Sequence, residues 1–481
     1  MGCIQRRKTL LTGEKQEMYE KKQYMMTGTV SVHGEVIPYE GYAENFPIRD
    51  AAGNVDADMF CFSYLRSGLA STDGRPVLFA WNGGPGCGSL FVHMGLLSPM
   101  RVRCGEGYDL PQTAPFELVE NENCLLDICD VVAVDAIGTG YARLYNQEKK
   151  AEYCTTEKDA ECFIRCIRAW LTAHDRWNSP IYIMGESFGT IRNALVAEGM
   201  FYTSGIDAAG GPLHLSGIIM LGSALDYGQD GFPIPKAVLN LPSIAAANWY
   251  WHPEGKGDLQ TYIGECERFC YDEYVRALAL GDRLEPAERE RIAGRLSEYT
   301  GYSVEKLLQD RLNVDIFRYA AKGLAEEGRS IGMYDARFSL GKVADPEKYD
   351  YFSDDASNAF SMPVFTVGYN GIWRKAFGIQ SDEEYVEIWN GAEQAWNFKT
   401  KQAPVKSLEN AMHRNPKLKL MFGMGYYDML TTIGWVHYLV SHYDLPKEQV
   451  TLNYYEAGHM PYLGDRQAMQ LEEDIRAFIA R

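Results

Sequence analysis

The chain has 481 residues, 46% of them apolar, enough to bury a large core. Its 47 basic and 65 acidic residues leave a net charge of −18, which argues against nucleic acid or an anionic membrane as a main partner, since both reward Lys and Arg. No stretch is long and apolar enough to span a bilayer.

Residues 1–24 read as a flexible tail. Met1-Gly2-Cys3 invites a lipidation reading, but that pattern wants Ser or Thr where Arg6 stands. The tail also lacks the apolar segment of a secretory signal, so the expectation is a solvated basic arm on a cytoplasmic protein. In that setting the eleven cysteines stay mostly reduced. From Gly28 to Tyr42 the alternation of Val30, Val32, Val36 and Ile37 predicts a hairpin turning near His33-Gly34. Met59–Leu65 is a further strand candidate. Pro76–Trp81, Asp130–Ala136, Ile181–Met184 and Ser216–Leu221 are short apolar runs of the kind that make strands buried on both faces. Thr156–Trp170 has helical periodicity, and strand–helix–strand with apolar strands predicts a mostly parallel sheet.

The character changes after Asp226. Residues 285–312 are charged and helical, with Pro286 in a first turn, Gly301 as a stop and Ser303 as a new N-cap. Aromatics gather around Trp373, Trp389 and Trp396. Sheet-like runs resume at Lys417–Gly425 and Val450–Tyr455. The expected organisation is a catalytic domain of residues 25–225 and 399–481, interrupted by a mainly helical cap at 226–398. Cys162/Cys166 and Cys266/Cys270 sit at helical spacing, but neither has a second pair nearby in sequence. No metal site and no cofactor are expected, and the cysteines read as small buried residues.

Ser179-Pro-Ile-Tyr-Ile-Met-Gly185-Glu186-Ser187-Phe188-Gly189 carries the chemistry. An apolar run feeding into Gly-x-Ser-x-Gly describes a strand that turns sharply into a helix with the serine at the apex. Such a serine needs a base and a group that orients the base, in the chain order Ser, acid, His. His459 follows a predicted strand in a short glycine-flanked loop. Asp428 ends the preceding one, after Leu420-Met-Phe-Gly-Met-Gly-Tyr-Tyr; it is also a candidate N-cap for a helix beginning near Met429. His437 falls in a helical stretch, Thr431–Tyr443, and reads as packing or surface. The predicted triad is Ser187, Asp428 and His459. An oxyanion hole needs two backbone N–H donors. Phe188 supplies one, and Gly84 of Trp81-Asn82-Gly83-Gly84-Pro85-Gly86-Cys87-Gly88 supplies the other.

Asn82–Cys87, Gly185–Gly189, Gly458-His459-Met460 and Asp135-Ala-Ile-Gly-Thr-Gly-Tyr141 together resemble the serine carboxypeptidase family. Gly425–Asp428 and Tyr454–Met460 resemble its bacterial, signal-less branch most closely. The resemblance runs from about Gly28 to the C-terminus and is weakest in the cap. It implies an α/β-hydrolase fold with a mostly parallel central sheet flanked by helices, and hydrolysis of C-terminal residues from short peptides through an acyl-enzyme. It also implies that Asn82 and Glu186 bind the substrate carboxylate. Asn donates to a carboxylate, whereas an ionised Glu repels one, so Glu186 must be protonated and acidic pH is favoured. Two departures stand out. The family's Trp two residues before the Asn is Ala80 here, and its Glu before a Gly-Pro is lost in Leu96-Leu-Ser-Pro99. These leave room for an esterase or acyltransferase using the same triad. A non-catalytic hydrolase-fold binding protein is the remaining alternative, against which the full residue set speaks. Cys87 stands where relatives have a disulfide partner. The expected partner is a peptide substrate, with no nucleic acid and no membrane; a homodimer is left open.

Overall fold

The computed structural model describes residues 19–480 except 51, 104–112, 202–210, 226–233, 342–344, 346 and 351. The Met-Gly-Cys segment and most of the expected tail therefore lie outside the described residues. The first strand, β1 (Gln23–Val32), begins inside the stretch read as tail, and Lys22 already donates its N–H to Asn45 Oδ1 at 2.7 Å. β1 pairs antiparallel with β2 (Glu35–Arg49) through a turn at His33-Gly34, both of which have positive φ. Such a turn matches the twist of the two strands it joins.

The remaining strands of the main sheet are β3 (Val55–Arg66), β4 (Val77–Trp81), β5 (Asp130–Asp135), β6 (Ile181–Glu186), β7 (Gly217–Leu221), β8 (Lys419–Gly425) and β9 (Val450–Tyr455). They form one nine-stranded sheet in the order β1-β2-β3-β5-β4-β6-β7-β8-β9. The three N-terminal strands run antiparallel and the six after them are parallel. The short apolar runs read from the sequence are these central strands. Both faces are covered, and alternate residues divide between them. Val77, Phe79 and Trp81 of β4 enter one core with helices α1 (Thr156–Ala173) and α2 (Phe188–Phe201). Leu78 and Ala80 enter a second core with the C-terminal helix Asp465–Ala480. A strand buried on both faces has no polar side to show, so its sequence is a continuous apolar run.

The segment between β7 and β8 is mainly helical, with a two-residue strand pair at Ser330–Ile331 and Ser339–Leu340. Pro286 opens a helix that Gly301 ends, and the Ser303 hydroxyl accepts the Lys306 N–H at 3.2 Å, as their residue types predict. The segment is split between the two cores. Its earlier helices, such as Lys236–Trp251 and Pro286–Thr300, pack into the α1/α2 core, whereas Tyr369 and Trp373 pack against Phe62, Tyr64 and His93 of the opposite core, and Phe365 packs against Phe91 there. The helix Pro404–Arg414 returns to the sheet, where Asn410 Nδ2 reaches Glu198 Oε1 of α2 at 2.8 Å.

Candidate active site

β6 ends at Glu186 and α2 begins at Phe188, which leaves Ser187 alone to make the turn. It does so with φ +58°, a left-handed conformation that costs a non-glycine residue energy and marks a constrained site. A side chain at Gly185 would place its Cβ 2.1 Å from the Gly189 carbonyl, so only glycine admits so tight a strand-to-helix passage. The Ser187 N–H donates to the Leu221 carbonyl at 2.9 Å, which ties the turn to the end of β7.

Asp428 lies just beyond β8 and is fully buried. The helix expected near Met429 starts instead at Ile433, with Thr432 as its N-cap. Freed from capping that helix, Asp428 closes its own turn: Oδ1 accepts the N–H groups of Leu430 and Thr431 at 2.8 and 2.9 Å. Oδ2 lies 2.8 Å from His459 Nδ1 and also accepts the Thr431 hydroxyl. An ionised carboxylate only accepts, so Nδ1 carries the imidazole proton and Nε2 keeps its lone pair. Nε2 is buried without a hydrogen-bond partner, and His459 lines the same pocket as Ser187. Burial alone would push the His459 pKa down. The Asp428 charge and hydrogen bond, with Glu186 behind them, outweigh it and leave the pKa raised. The loop is held from the intervening segment as well, since the His459 N–H donates to the Tyr334 carbonyl at 2.6 Å. His437 lies elsewhere, with its ring nitrogens against Glu267 and Tyr454.

The Gly-Gly loop after β4 rests directly on the turn. A Cβ on Gly83 would sit 2.5 Å from the Phe188 nitrogen. Among the described residues, no acceptor takes the N–H of Gly84 or of Phe188. Asn82 is buried: Oδ1 accepts Phe91 N–H and Val92 N–H at 3.1 and 3.0 Å, and Nδ2 gives one of its two hydrogens to Glu186 Oε1 at 2.8 Å. Glu186 Oε2 is buried without a partner. Burial pushes the Glu186 carboxyl up to about 7, against the lowering effect of the cationic form of His459. Tyr462, which sequence reasoning missed, sets its hydroxyl 3.5 Å from Asn82 Nδ2. Thr431, with its hydroxyl 3.1 Å from His459 Nδ1, was missed too. A lone Tyr or Thr carries no sequence signal of such a role.

These groups open onto a cavity of about 130 Å³. Its walls include Phe91, Tyr334, Phe352, Met362, Ile388 and Met460, and among the described residues its carboxyl and imidazole are those of Glu186 and His459. Cys87 also lines it, as a free, partly buried thiol. Asp135 stands behind the Gly-Gly loop, with Oδ1 accepting the Ser89 N–H at 2.8 Å and the Tyr385 hydroxyl at 2.6 Å. Among the described residues no group of His, Cys, Asp and Glu is arranged to hold a metal ion. Cys162, Cys166, Cys266 and Cys270 are buried thiols, and the Cys166 sulfur lies 3.5 Å from that of Cys61. No helix among the described residues is long and apolar enough to cross a membrane.

Residues 38–204 match the serine carboxypeptidase family, a span that contains Asn82, Gly84, Glu186, Ser187 and Phe188 and stops before Asp428 and His459. The chain is similar in structure to the prohormone-processing carboxypeptidase Kex1Δp of Saccharomyces cerevisiae, at a TM-score of 0.55 and 14% identity over 91% of each chain. It also aligns with a thermostable carboxyl esterase of Bacillus coagulans, at a TM-score of 0.38 and 12% identity over 91% of this chain and 98% of that one. No curated protein matches the sequence. The fold is that of the α/β hydrolases, as the motifs implied, and the resemblance to the serine carboxypeptidases stands.

Proposed function

We propose that this chain, a relative of the serine carboxypeptidases over residues 38–204, is itself a serine carboxypeptidase acting on short peptides. The observation that carries the reading is the meeting, in one apolar pocket, of Ser187, His459 and the Asn82–Glu186 pair. His459 Nε2 takes the Ser187 proton as Oγ attacks the scissile carbonyl, and Asp428 holds the imidazole and stabilises its cation. The N–H groups of Gly84 and Phe188 receive the developing oxyanion. The imidazolium then protonates the leaving amine, and water releases the acyl group by the same route. Asn82 and protonated Glu186 hold the free carboxylate of the departing residue. The apolar walls fit apolar side chains beside the scissile bond. No cofactor takes part in this scheme. A cytoplasmic setting belongs to the same proposal, supported by an acidic chain whose described cysteines are thiols.

The test is hydrolysis of an N-blocked dipeptide between about pH 4 and 8, beside its C-terminal amide and its ester, with Ser187→Ala as control. Preference for the free acid, strongest at low pH and lost in the variant, supports the assignment. Equal cleavage of the amide, or activity on the ester alone, sinks the carboxypeptidase reading and leaves an esterase or acyltransferase. That second reading has its own support in Ala80 and Leu96-Leu-Ser-Pro99, where the family's other carboxylate-binding residues are lost.

A further inference from the structure

Behind the Gly-Gly loop lies a buried cation that the proposed reaction does not use. Arg192, in the second turn of α2, is fully buried. Its Nε and Nη2 donate to the two oxygens of Asp159 at 2.6 and 3.1 Å. Its third arm, Nη1, donates to the Asn82 carbonyl at 2.8 Å. The guanidinium lies 4.1 Å from the centroid of the Phe163 ring and 5.5 Å from that of Phe188. One side chain thus touches the carbonyl at the head of the Gly83-Gly84 loop and the ring of the residue after Ser187.

A buried ion pair is poor evidence for stability, because apolar residues of equal volume commonly serve as well. Apolar residues would not supply a rigid fork of donors, two prongs fixed by Asp159 and one aimed at a main-chain oxygen. The loop that receives this bond has little slack. Asn82 is pinned through its side chain at Glu186, Phe91 and Val92, and Gly83 abuts the Phe188 nitrogen. Any tilt of the Asn82–Gly83 peptide therefore moves the Gly84 N–H relative to the Phe188 N–H.

We propose that Arg192, locked in place by Asp159, is a positioning residue that sets the spacing of the two oxyanion donors. The inference rests on the reading of Ser187 as nucleophile. It is tested in the full chain with Arg192→Met, Arg192→Lys and Asp159→Asn, on a short-chain p-nitrophenyl ester, with a peptide boronic acid as the tetrahedral probe. A displacement of catalytic groups by about 1 Å costs about 100-fold, so Arg192→Met is expected to lower kcat by that order. KM changes little, and boronic acid inhibition weakens by the same factor as kcat/KM, because the boronate mimics the tetrahedral state. Arg192→Lys, with one compact donor group, restores part of both. Asp159→Asn keeps the fork but loosens it, gives the same pattern at smaller size, and keeps the test open if Arg192→Met does not fold. A folded Arg192→Met with unchanged kcat, or a lost kcat with undiminished boronate affinity, overturns the proposal. Labelling by a fluorophosphonate separates the two levels: an unlabelled Ser187 in the unsubstituted chain overturns both readings, whereas normal labelling with unaffected variants overturns only the role of Arg192.

Discussion

Glu186 decides at which pH the proposed clamp works. Its carboxyl is held near 7 by burial, so it is protonated below that value and can donate to a substrate carboxylate. As pH rises through about 7 it ionises and repels that carboxylate. The ratio of free-acid to amide cleavage is therefore expected to rise as pH falls through this range. Glu186→Gln, which donates at every pH, should flatten the ratio; a ratio in that variant that still follows pH would assign the effect to another group. Ser187→Ala is expected to lower kcat by roughly 10⁴-fold or more and to abolish fluorophosphonate labelling. At this scale the positions of Ser187, Asp428 and His459 just past strand ends were legible, because short glycine-bearing turns follow apolar runs there. Tyr462 and Thr431 were not, because nothing local distinguishes a buried hydroxyl that serves a neighbour from one that serves packing.

The elements explain how the His459 loop is braced. Asp355 precedes the helix Ala356–Val367 as its N-cap, and its side chain also accepts the N–H groups of Met333 and Tyr334. The Tyr334 carbonyl in turn holds the His459 N–H. A helix of the intervening segment thereby anchors a loop more than a hundred residues further along. Asp355→Ala would take the side-chain acceptor away from the buried N–H groups of Met333 and Asn358, at a cost of about 1–3 kcal/mol each, and would release the Tyr334 N–H from Asp355 as well. Lower stability in urea, together with a fall in kcat, is the expected result; unchanged kcat in a destabilised variant would show that the brace supports the fold and not the base. The strands and the hairpin turn at His33-Gly34 were readable in advance, since a period of two and a continuous apolar run are local patterns. The division of the intervening segment between two cores was not, because an apolar helical face does not say which side of a sheet it will meet.

For the whole molecule, buried carboxyls contribute a pH dependence to stability, opposed at low pH by His93, which burial lowers to about 3. Burial raises Asp135 to about 6, Glu186 to about 7 and Glu472 to about 8. Each binds its proton more tightly folded than unfolded, so its contribution to stability is fully present below the unfolded pKa and is lost as pH rises through the folded one. The urea midpoint is expected to be higher near pH 5 than near pH 8. Glu472 lies outside the pocket, with Oε1 accepting Asn121 Nδ2 at 3.0 Å. Glu472→Gln should therefore raise the midpoint at pH 8 and flatten its pH dependence while leaving catalysis alone; a midpoint that moves equally at both pH values would contradict this. The amino-acid sequence alone determined the α/β class, the central strands, the sharp turn at Ser187 and the glycine loop, because strand periodicity and tight turns each constrain residues close together in the chain. Only the tertiary structure decided which cap residues wall the pocket, what braces His459 and where the Arg192 fork points. Those depend on contacts between segments far apart in the chain, up to a hundred residues or more as between Arg192 and Asn82, and their chemistry exists only after the chain has folded.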